Sequence, residues 1–505
     1  MSRSKKSIKN SCYALVKQII VLLLNFLVKT IFIRTLGKEY LGINGLFNNL
    51  FLLFSFAEFG LGSSMIYSFY EPLAKEDYKK CSGLYQYYQK MYLIMSGVVL
   101  LMGIVLIPFL PYFIEEGVQI QQSKIVMYFL LYILSACINN IFSYKANIMT
   151  ADQNQYLVSK AQLILEIFCY IGQGITLLVF KSFFIYLLFV LFKVMILGIW
   201  YSSDISKYYQ YLKQEARLEK KEKETIFNNT ITLFQLKFSK TLIHSSDNVI
   251  ISLLVGTIAV GYYSNYEFVI VGVQGIIAVL FSAVAASVGN FIVEQNEKEQ
   301  YRIYEIISLL NHWISCWTSI CLLLLFQDFI VLWAGKSYQL NFTIVILLVI
   351  IYYLRVRRES ISVFREAAGI FTEIKNITMI AASMNLLLSL LLGKWFGMAG
   401  IFFATIVSVL TTYFWYEPFI VYKKVFQQSF SLFIKQQLIE LVHIGVIYGV
   451  TWLFTSKISQ VTIGTFIIKC IICVIVPNCI FLLFIYRKKQ FQTLIQILKE
   501  GFSLL

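Results

Sequence analysis

Residues 182–203 read SFFIYLLFVLFKVMILGIWYSS and carry a single charged side chain, Lys193. A helix of about 20 mostly apolar residues crosses the hydrocarbon core of a bilayer, and this stretch has that length and composition. Working outward in both directions, thirteen more stretches of the same kind follow. They lie near 12–34, 40–69, 91–113, 124–149, 157–180, 229–255, 258–292, 305–330, 341–365, 376–396, 399–422, 435–456 and 461–486. The second and eighth of the fourteen are longer than one crossing needs, so they tilt or extend into water. The expected fold is all-α and polytopic, with about fourteen transmembrane helices. Composition agrees: 58% of the 505 residues are hydrophobic and only 14% charged, where a soluble domain carries about a quarter charged. The net charge of +16 would fit nucleic acid in a soluble protein. The mean hydropathy of +0.72 argues against that reading.

Basic residues gather in the segments that face the cytoplasm of a membrane protein. With the N-terminus inside, and with basic residues toward the span ends counted with the loops they adjoin, thirty of the 43 lysines and arginines fall on the inside, seven on the outside and six (Lys17, Lys29, Lys193, Lys237, Lys240 and Lys469) within spans. The expectation is a multi-pass protein of the cytoplasmic membrane with both termini cytoplasmic. The first span has a basic start but no small-residue cleavage site, and Lys17 and Lys29 interrupt it, so it reads as a retained helix. The nine cysteines lie mostly in apolar helices and read as buried thiols, including the Cys470/Cys473 pair. No metal site is expected. Gly335-Lys336-Ser337 lacks the first glycine of a phosphate-binding loop, because Ile330 stands there. Outside loops are short, which counts against a membrane glycosyltransferase or polymerase.

An internal repeat organises the spans. Leu36-Gly37-Lys38-Glu39-Tyr40-Leu41-Gly42 and Val255-Gly256-Thr257-Ile258-Ala259-Val260-Gly261 share an apolar-Gly-x-x-x-apolar-Gly pattern at an offset of 219 residues. The same offset aligns Thr150-Ala151-Asp152 with Gly369-Ile370-Phe371. Six spans per repeat give halves of like orientation, a transporter architecture with its site between the halves. The expected organisation is an N-terminal six-helix lobe at 1–203, a basic cytoplasmic linker at 204–228, a second six-helix lobe at 229–422, and two further helices with a cytoplasmic tail at 423–505.

Ionisable side chains in mid-membrane cost several kcal/mol unless they face a cavity or a partner. Lys237, Lys240, His244 and Asp247 recur at spacings of 3, 4 and 3 and line one face of the seventh span. Ser11, Gln18, Asn25 and Lys29 recur at 7, 7 and 4 along the first. Because these spans match in the repeat, their stripes are expected to face each other across a cationic cavity that meets an anionic group. Lys17, nearer the cytoplasmic end, is expected to snorkel. Tyr263, Glu267 and Gln274 share a face of the eighth span. Glu58 and Glu166 are lone intramembrane carboxylates, which hold a proton or sodium ion or pair with a lysine. His312 and His443, near span ends, have no evident partner.

Several segments resemble bacterial polysaccharide export flippases of the Wzx type. These are Arg34 to Phe47, Ala57 to Gly62, Ala151-Asp152-Gln153, Ser246-Asp247-Asn248, Gly261 to Tyr266, Arg365 to Gly369 and Phe396 to Phe402. That family belongs to the multidrug/oligosaccharidyl-lipid/polysaccharide exporter superfamily. The resemblance implies two pseudo-symmetric six-helix lobes around a central cavity, plus two C-terminal helices. It implies a transporter, not an enzyme, that moves undecaprenyl-pyrophosphate-linked oligosaccharide units across the bilayer for capsular or surface polysaccharide. Lys29, Asn25, Lys237, Lys240, His244, Tyr263 and Gln274 then become substrate-binding residues, with Asp247, Glu267, Glu58 and Glu166 as candidates for proton or sodium coupling. No other cofactor is expected. A polysaccharide polymerase and glycosyltransferases are expected partners. Flippases for lipid II or teichoic acid, and multidrug or cation antiporters of the same superfamily, are the alternatives.

Overall fold

In the computed structural model the chain is described at residues 3–54, 56–114, 120–214, 216, 218–294, 296–493 and 495–496. The side chains of 3–12, 14–15, 51–60, 63, 229, 232–233, 236–238, 240–241, 244–245, 282–287 and 289–294 lie outside the description. Sixteen helices are present among the described residues, and no strand. They are α1 (Arg3–Thr35), α2 (Gly37–Phe54), α3 (Phe56–Ala74), α4 (Tyr78–Leu106), α5 (Leu110–Phe113), α6 (Gln122–Ala151), α7 (Gln155–Val179), α8 (Phe183–Tyr208) and α9 (Lys220–Leu254). The rest are α10 (Thr257–Glu294), α11 (Glu297–Trp333), α12 (Phe342–Ala367), α13 (Thr372–Thr411), α14 (Tyr413–Val421), α15 (Phe430–Thr455) and α16 (Ile463–Ile485).

Each of the fourteen expected segments is helical, with 40–69 divided between α2 and α3, 91–113 between α4 and α5, and 399–422 between α13 and α14. By length and apolar composition alone, ten stretches of the described residues qualify as membrane crossings. The segment at 341–365 is not among the ten, those at 40–69 and 229–255 include side chains outside the described residues, and 376–396 and 399–422 run together as one apolar stretch, Thr372–Phe426. Within it the backbone breaks at Gly397, whose φ of 59° lies in the left-handed region, between the two expected spans. An L side chain there would be strained, so glycine makes the reversal.

The distribution of polarity is that of a protein dissolved in lipid. Leu101, Phe168 and Leu483 are 66%, 69% and 69% exposed, whereas Asn140, Asn311, Asn385 and Thr405 are buried. With hydrocarbon as the solvent, apolar side chains gain nothing by turning inward, and hydrogen-bonding side chains are held between helices instead. The helices satisfy their own backbone groups, as a bilayer requires. Their starts are fixed by polar caps, such as Asp77, which accepts from the Lys80 amide at 2.9 Å, and Asn296, which accepts from the Glu299 amide at 3.1 Å.

The chain divides into two compact units, Met1–Ser264 and Asn265–Leu505. In the first, α1 packs on α7, α6 on α4 and α8, and α9 on α2 and α3. Because α9 packs this way, the unit extends past the lobe boundary expected at 203. The segment expected as a linker is tied down: Leu212 and Leu218 are buried, the Ser82 hydroxyl donates to the Leu212 carbonyl at 3.0 Å, and the Gln86 amide donates to the Gln214 carbonyl at 2.8 Å. In the second unit, α11 packs on α12 and α16, and α15 on α16.

Candidate functional site

The repeat has a three-dimensional meaning. Gly37 (φ 79°) follows α1 and Gly256 (φ 121°) follows α9, so in each copy the first glycine makes the left-handed turn into the next helix. The second glycines, Gly42 and Gly261, sit at a crossing of α2 with the start of α10. A Cβ on Gly42 would lie 2.2 Å from the Thr257 carbonyl oxygen, and one on Gly261 would lie 2.8 Å from that of Lys38. Adding 219 to 38 and 42 gives 257 and 261, so the two contacts are the same contact exchanged between the copies. A Cβ on Gly45 would meet the Cβ of its own counterpart, Ser264, at 3.5 Å. The crossing is therefore a local pseudo-two-fold contact, and small residues hold it because nothing larger fits.

The polar stripe of α1 obeys the same offset. Ser11, Gln18, Asn25 and Lys29 correspond to Thr230, Lys237, His244 and Asn248 of α9. The two stripes are copies of one another, which the expected Lys237/Lys240/His244/Asp247 grouping only partly captured.

Among the residues whose side chains are described, Lys29 donates from Nζ to the Ser264 carbonyl at 2.6 Å, beside Tyr263 in the chain. Lys29 thus joins α1 to the crossing. Asn25 is half-buried. Tyr263, Asp247 and Asn248 are buried, the last two at 1% and 0% exposure. Thr230 donates to the Ser64 hydroxyl at 2.9 Å, which in turn bonds Tyr88. Glu267 and Gln274, further along α10, belong to the second unit, and the Gln274 amide nitrogen is buried without a hydrogen-bond partner among the described residues. The side chains of Glu58, Lys237, Lys240 and His244 lie outside the described residues, although α9 itself is continuous through the last three.

Glu166 belongs to a separate polar cluster in the first unit. Its Oε2 is buried and accepts no hydrogen bond from the described residues. Lys17 of α1 and Lys193 of α8 stand within electrostatic reach of each other, and Glu166 acts on Lys17. Lys17, expected to snorkel, donates to the Gln162 Oε1 at 2.5 Å. The reason is proximity: α7 runs against α1 and offers an amide one turn from Glu166.

In the second unit the charges are paired. Arg357 and Arg365 lie within the span expected at 341–365, and both are buried in α12. Arg357 forms a bidentate pair with Glu440 of α15, with both bonds at 2.6 Å, and its remaining donors reach Asn311, Ser360 and Ser308 at 2.8 to 3.0 Å. Glu417 holds Arg365 at 2.5 Å and also Arg358. His312, for which the sequence suggested no partner, lies 3.9 Å from Glu440 and stacks on His443. Lys469 pairs with Asp328 at 2.6 Å. These pairs were missed because Glu417 and Glu440 are isolated in apolar stretches, far in sequence from their arginines. The described residues hold no cluster of three or more metal-ligating side chains.

The fold and these polar helices define a class, the all-α multi-pass membrane proteins. A family model described as "Polysaccharide biosynthesis protein" matches residues 7–286, and the chain belongs to that family. No curated protein matches the chain in sequence. Among solved structures, the lipid II flippase MurJ in an inward closed conformation shares 15% identity at a TM-score of 0.65, covering 93% of this chain and 98% of that one. An inward-facing multidrug resistance MATE family transporter of the MOP superfamily shares 14% identity at 0.59, covering 79% and 97%. A MOP superfamily transporter from Pyrococcus furiosus shares 12% at 0.55, covering 81% and 92%, and its description notes a binding pocket of reversed polarity. These likenesses establish the fold of that superfamily.

Proposed function

We propose that the protein is a flippase of the cytoplasmic membrane, with both termini inside, that moves undecaprenyl-pyrophosphate-linked oligosaccharide units outward for capsular or surface polysaccharide. The observation that carries the reading is the duplicated polar stripe of α1 and α9 within the family-matched segment. It sets two lysines, Lys29 and Lys237, in copies of one helix, with Asn25 and His244 at equivalent positions. Lysines bind phosphate oxygens as compact point charges, and inside a membrane such charges persist where they face a polar occupant. In this reading Lys29, Lys237 and Lys240 take the pyrophosphate. Asn25, His244, Tyr263 and Gln274 bond the first sugars, and the lipid tail stays in the bilayer.

Translocation then proceeds by alternating access. The Gly42/Gly261 crossing, with the Lys29 bond to Ser264, is the contact that parts when the site opens on the far side. Asp247, Glu267, Glu58 and Glu166 are the carboxylates available for proton or sodium coupling. The polymerase and glycosyltransferases that extend and consume the units are the partners this role requires. Lys237→Ala with Lys240→Ala should abolish surface polysaccharide while the protein remains in the membrane at normal abundance. Normal surface polysaccharide in that double variant refutes the substrate assignment. Rescue of a lipid II flippase deficiency, without an effect on surface polysaccharide, would move the substrate to lipid II.

A further inference from the structure

A cavity lies in the first unit, at the end where basic loops gather, and none of its lining residues belongs to the α1 or α9 stripe. The helices α4, α6 and α8 and the turn at Gln210–Lys213 enclose about 370 Å³. Its polar wall consists of Gln86 and Gln89 from α4, Lys145 from α6, Ser202 and Ser206 from α8, and Lys213 from the turn. Two cations line it, and none of the lining residues is a carboxylate.

Lys145 is the informative residue. It is half-buried, and its Nζ donates to the Ser202 hydroxyl at 2.6 Å. Ser202 passes its own proton to the Gly198 carbonyl at 2.6 Å, so its oxygen is free to accept. The ammonium also lies 4.9 Å from the Phe142 ring centre and 5.7 Å from that of Tyr144. Among the described residues no carboxylate pairs with it. The deeply buried cations of the described chain each have a carboxylate, Arg357 with Glu440, Arg365 with Glu417 and Lys469 with Asp328, whereas the half-buried Lys145, like Lys17, is held by an uncharged partner. A hydroxyl and two ring faces hold Lys145 in place without neutralising it, and its spare donors face a cavity large enough for a small ligand.

We propose that this cavity binds a phosphate-bearing anion. Lys145 and Lys213 supply the charge, and Gln86, Gln89, Ser202 and Ser206 bond the oxygens and any attached hydroxyls. The source of the phosphate is a soluble phosphate or the headgroup of an anionic phospholipid. The site is independent of the flippase reading, because none of its residues belongs to the α1 or α9 stripe.

The test uses the purified full chain in nanodiscs. In one arm the lipid is phosphatidylcholine only, and inorganic phosphate is titrated by calorimetry. In the other arm phosphatidylglycerol is added to the nanodisc, and retained lipid is counted by native mass spectrometry. Binding is expected in at least one arm, which identifies the source. Lys145→Gln and Lys213→Gln should each weaken it about tenfold, the worth of one charged hydrogen bond, and Lys336→Gln, at an exposed lysine of the second unit, should leave it intact. Lys213 sits on an exposed turn, so its variant decides the matter if Lys145→Gln does not fold. Binding in neither arm, wild-type binding in Lys213→Gln, or an equal loss in Lys336→Gln would overturn the proposal.

Discussion

Replacing Gly42 by alanine would test whether the crossing of α2 with α10 is a contact that the working protein makes and breaks. The added methyl would stand 2.2 Å from the Thr257 carbonyl oxygen, a backbone atom that no rotamer change can move aside. To restore even a tight 3.0 Å contact the helices must separate by about 0.8 Å. Overpacking of this kind costs about 1–3 kcal/mol. If the crossing is intact in one transport state and parted in the other, the whole cost falls on the intact state. The equilibrium then moves toward the parted state by about 5- to 150-fold. Val260, fully buried at the crossing, serves as the reporter once replaced by cysteine. Its rate of labelling by a water-soluble maleimide, read by mass spectrometry on that peptide, is proportional to the parted population when opening is fast. Gly42→Ala should raise the rate by the factor above. Gly261→Ala, with its contact at 2.8 Å, should raise it less, and Gly45→Ala, whose nearest neighbour outside the replaced Val260 is the Ser264 Cβ at 3.5 Å, least of all. An unchanged labelling rate in Gly42→Ala, or a ranking that ignores these distances, would refute the gate assignment.

Three further outcomes follow from the charge arrangement. Arg357→Met and Glu440→Leu, made singly, should each destabilise the second unit by about 3–5 kcal/mol, because the surviving charge is left buried alone, and the double variant should recover much of the loss; unfolding of the three proteins in detergent reads this. Glu166→Gln should remove the dependence of transport on a pH gradient if that carboxylate carries the coupled proton, while leaving downhill transport in place. At the surface, Lys80 and Glu222 pair at 2.8 Å, which lowers the Glu222 pKa and raises that of Lys80. The lowered Glu222 contributes stability above its unfolded pKa, and that contribution fades as pH falls through the folded value. Since both side chains are about a third exposed or more, Lys80→Met should cost under about 1 kcal/mol and the effect should shrink in high salt.

Much of this protein could be read in advance because lipid imposes a simple rule on sequence. Apolar length marked the helices, and the break between 396 and 399 fell where Gly397 turns the backbone. The repeat at 219 residues was visible through two glycine pairs, yet its meaning as a reciprocal contact needed coordinates, since no property of Lys38 or Thr257 marks either as a neighbour. The turns after α6 and α12 show where the offset slips: the left-handed residues are Gln153 and Gly369, 216 positions apart. Charge was the weakest guide. A run of arginines at 355–365 looks like a cytoplasmic signal until Glu417 and Glu440 arrive from other helices, and nothing around Lys17 in the sequence marks Gln162 as its partner. Partners distant in the chain leave no local trace in a single sequence.

The central claim is that this chain carries a lipid-linked oligosaccharide through the membrane along the α1 and α9 stripes. Purified protein in liposomes, supplied with an undecaprenyl-pyrophosphate oligosaccharide fluorescently labelled on the sugar, puts it to the test through the fraction of label reached by an impermeant quencher. Wild-type protein should equilibrate the label between leaflets, and Lys237→Ala with Lys240→Ala should leave it where it started. If wild-type protein leaves the label in its original leaflet, or the double variant moves it as fast, the account is contradicted.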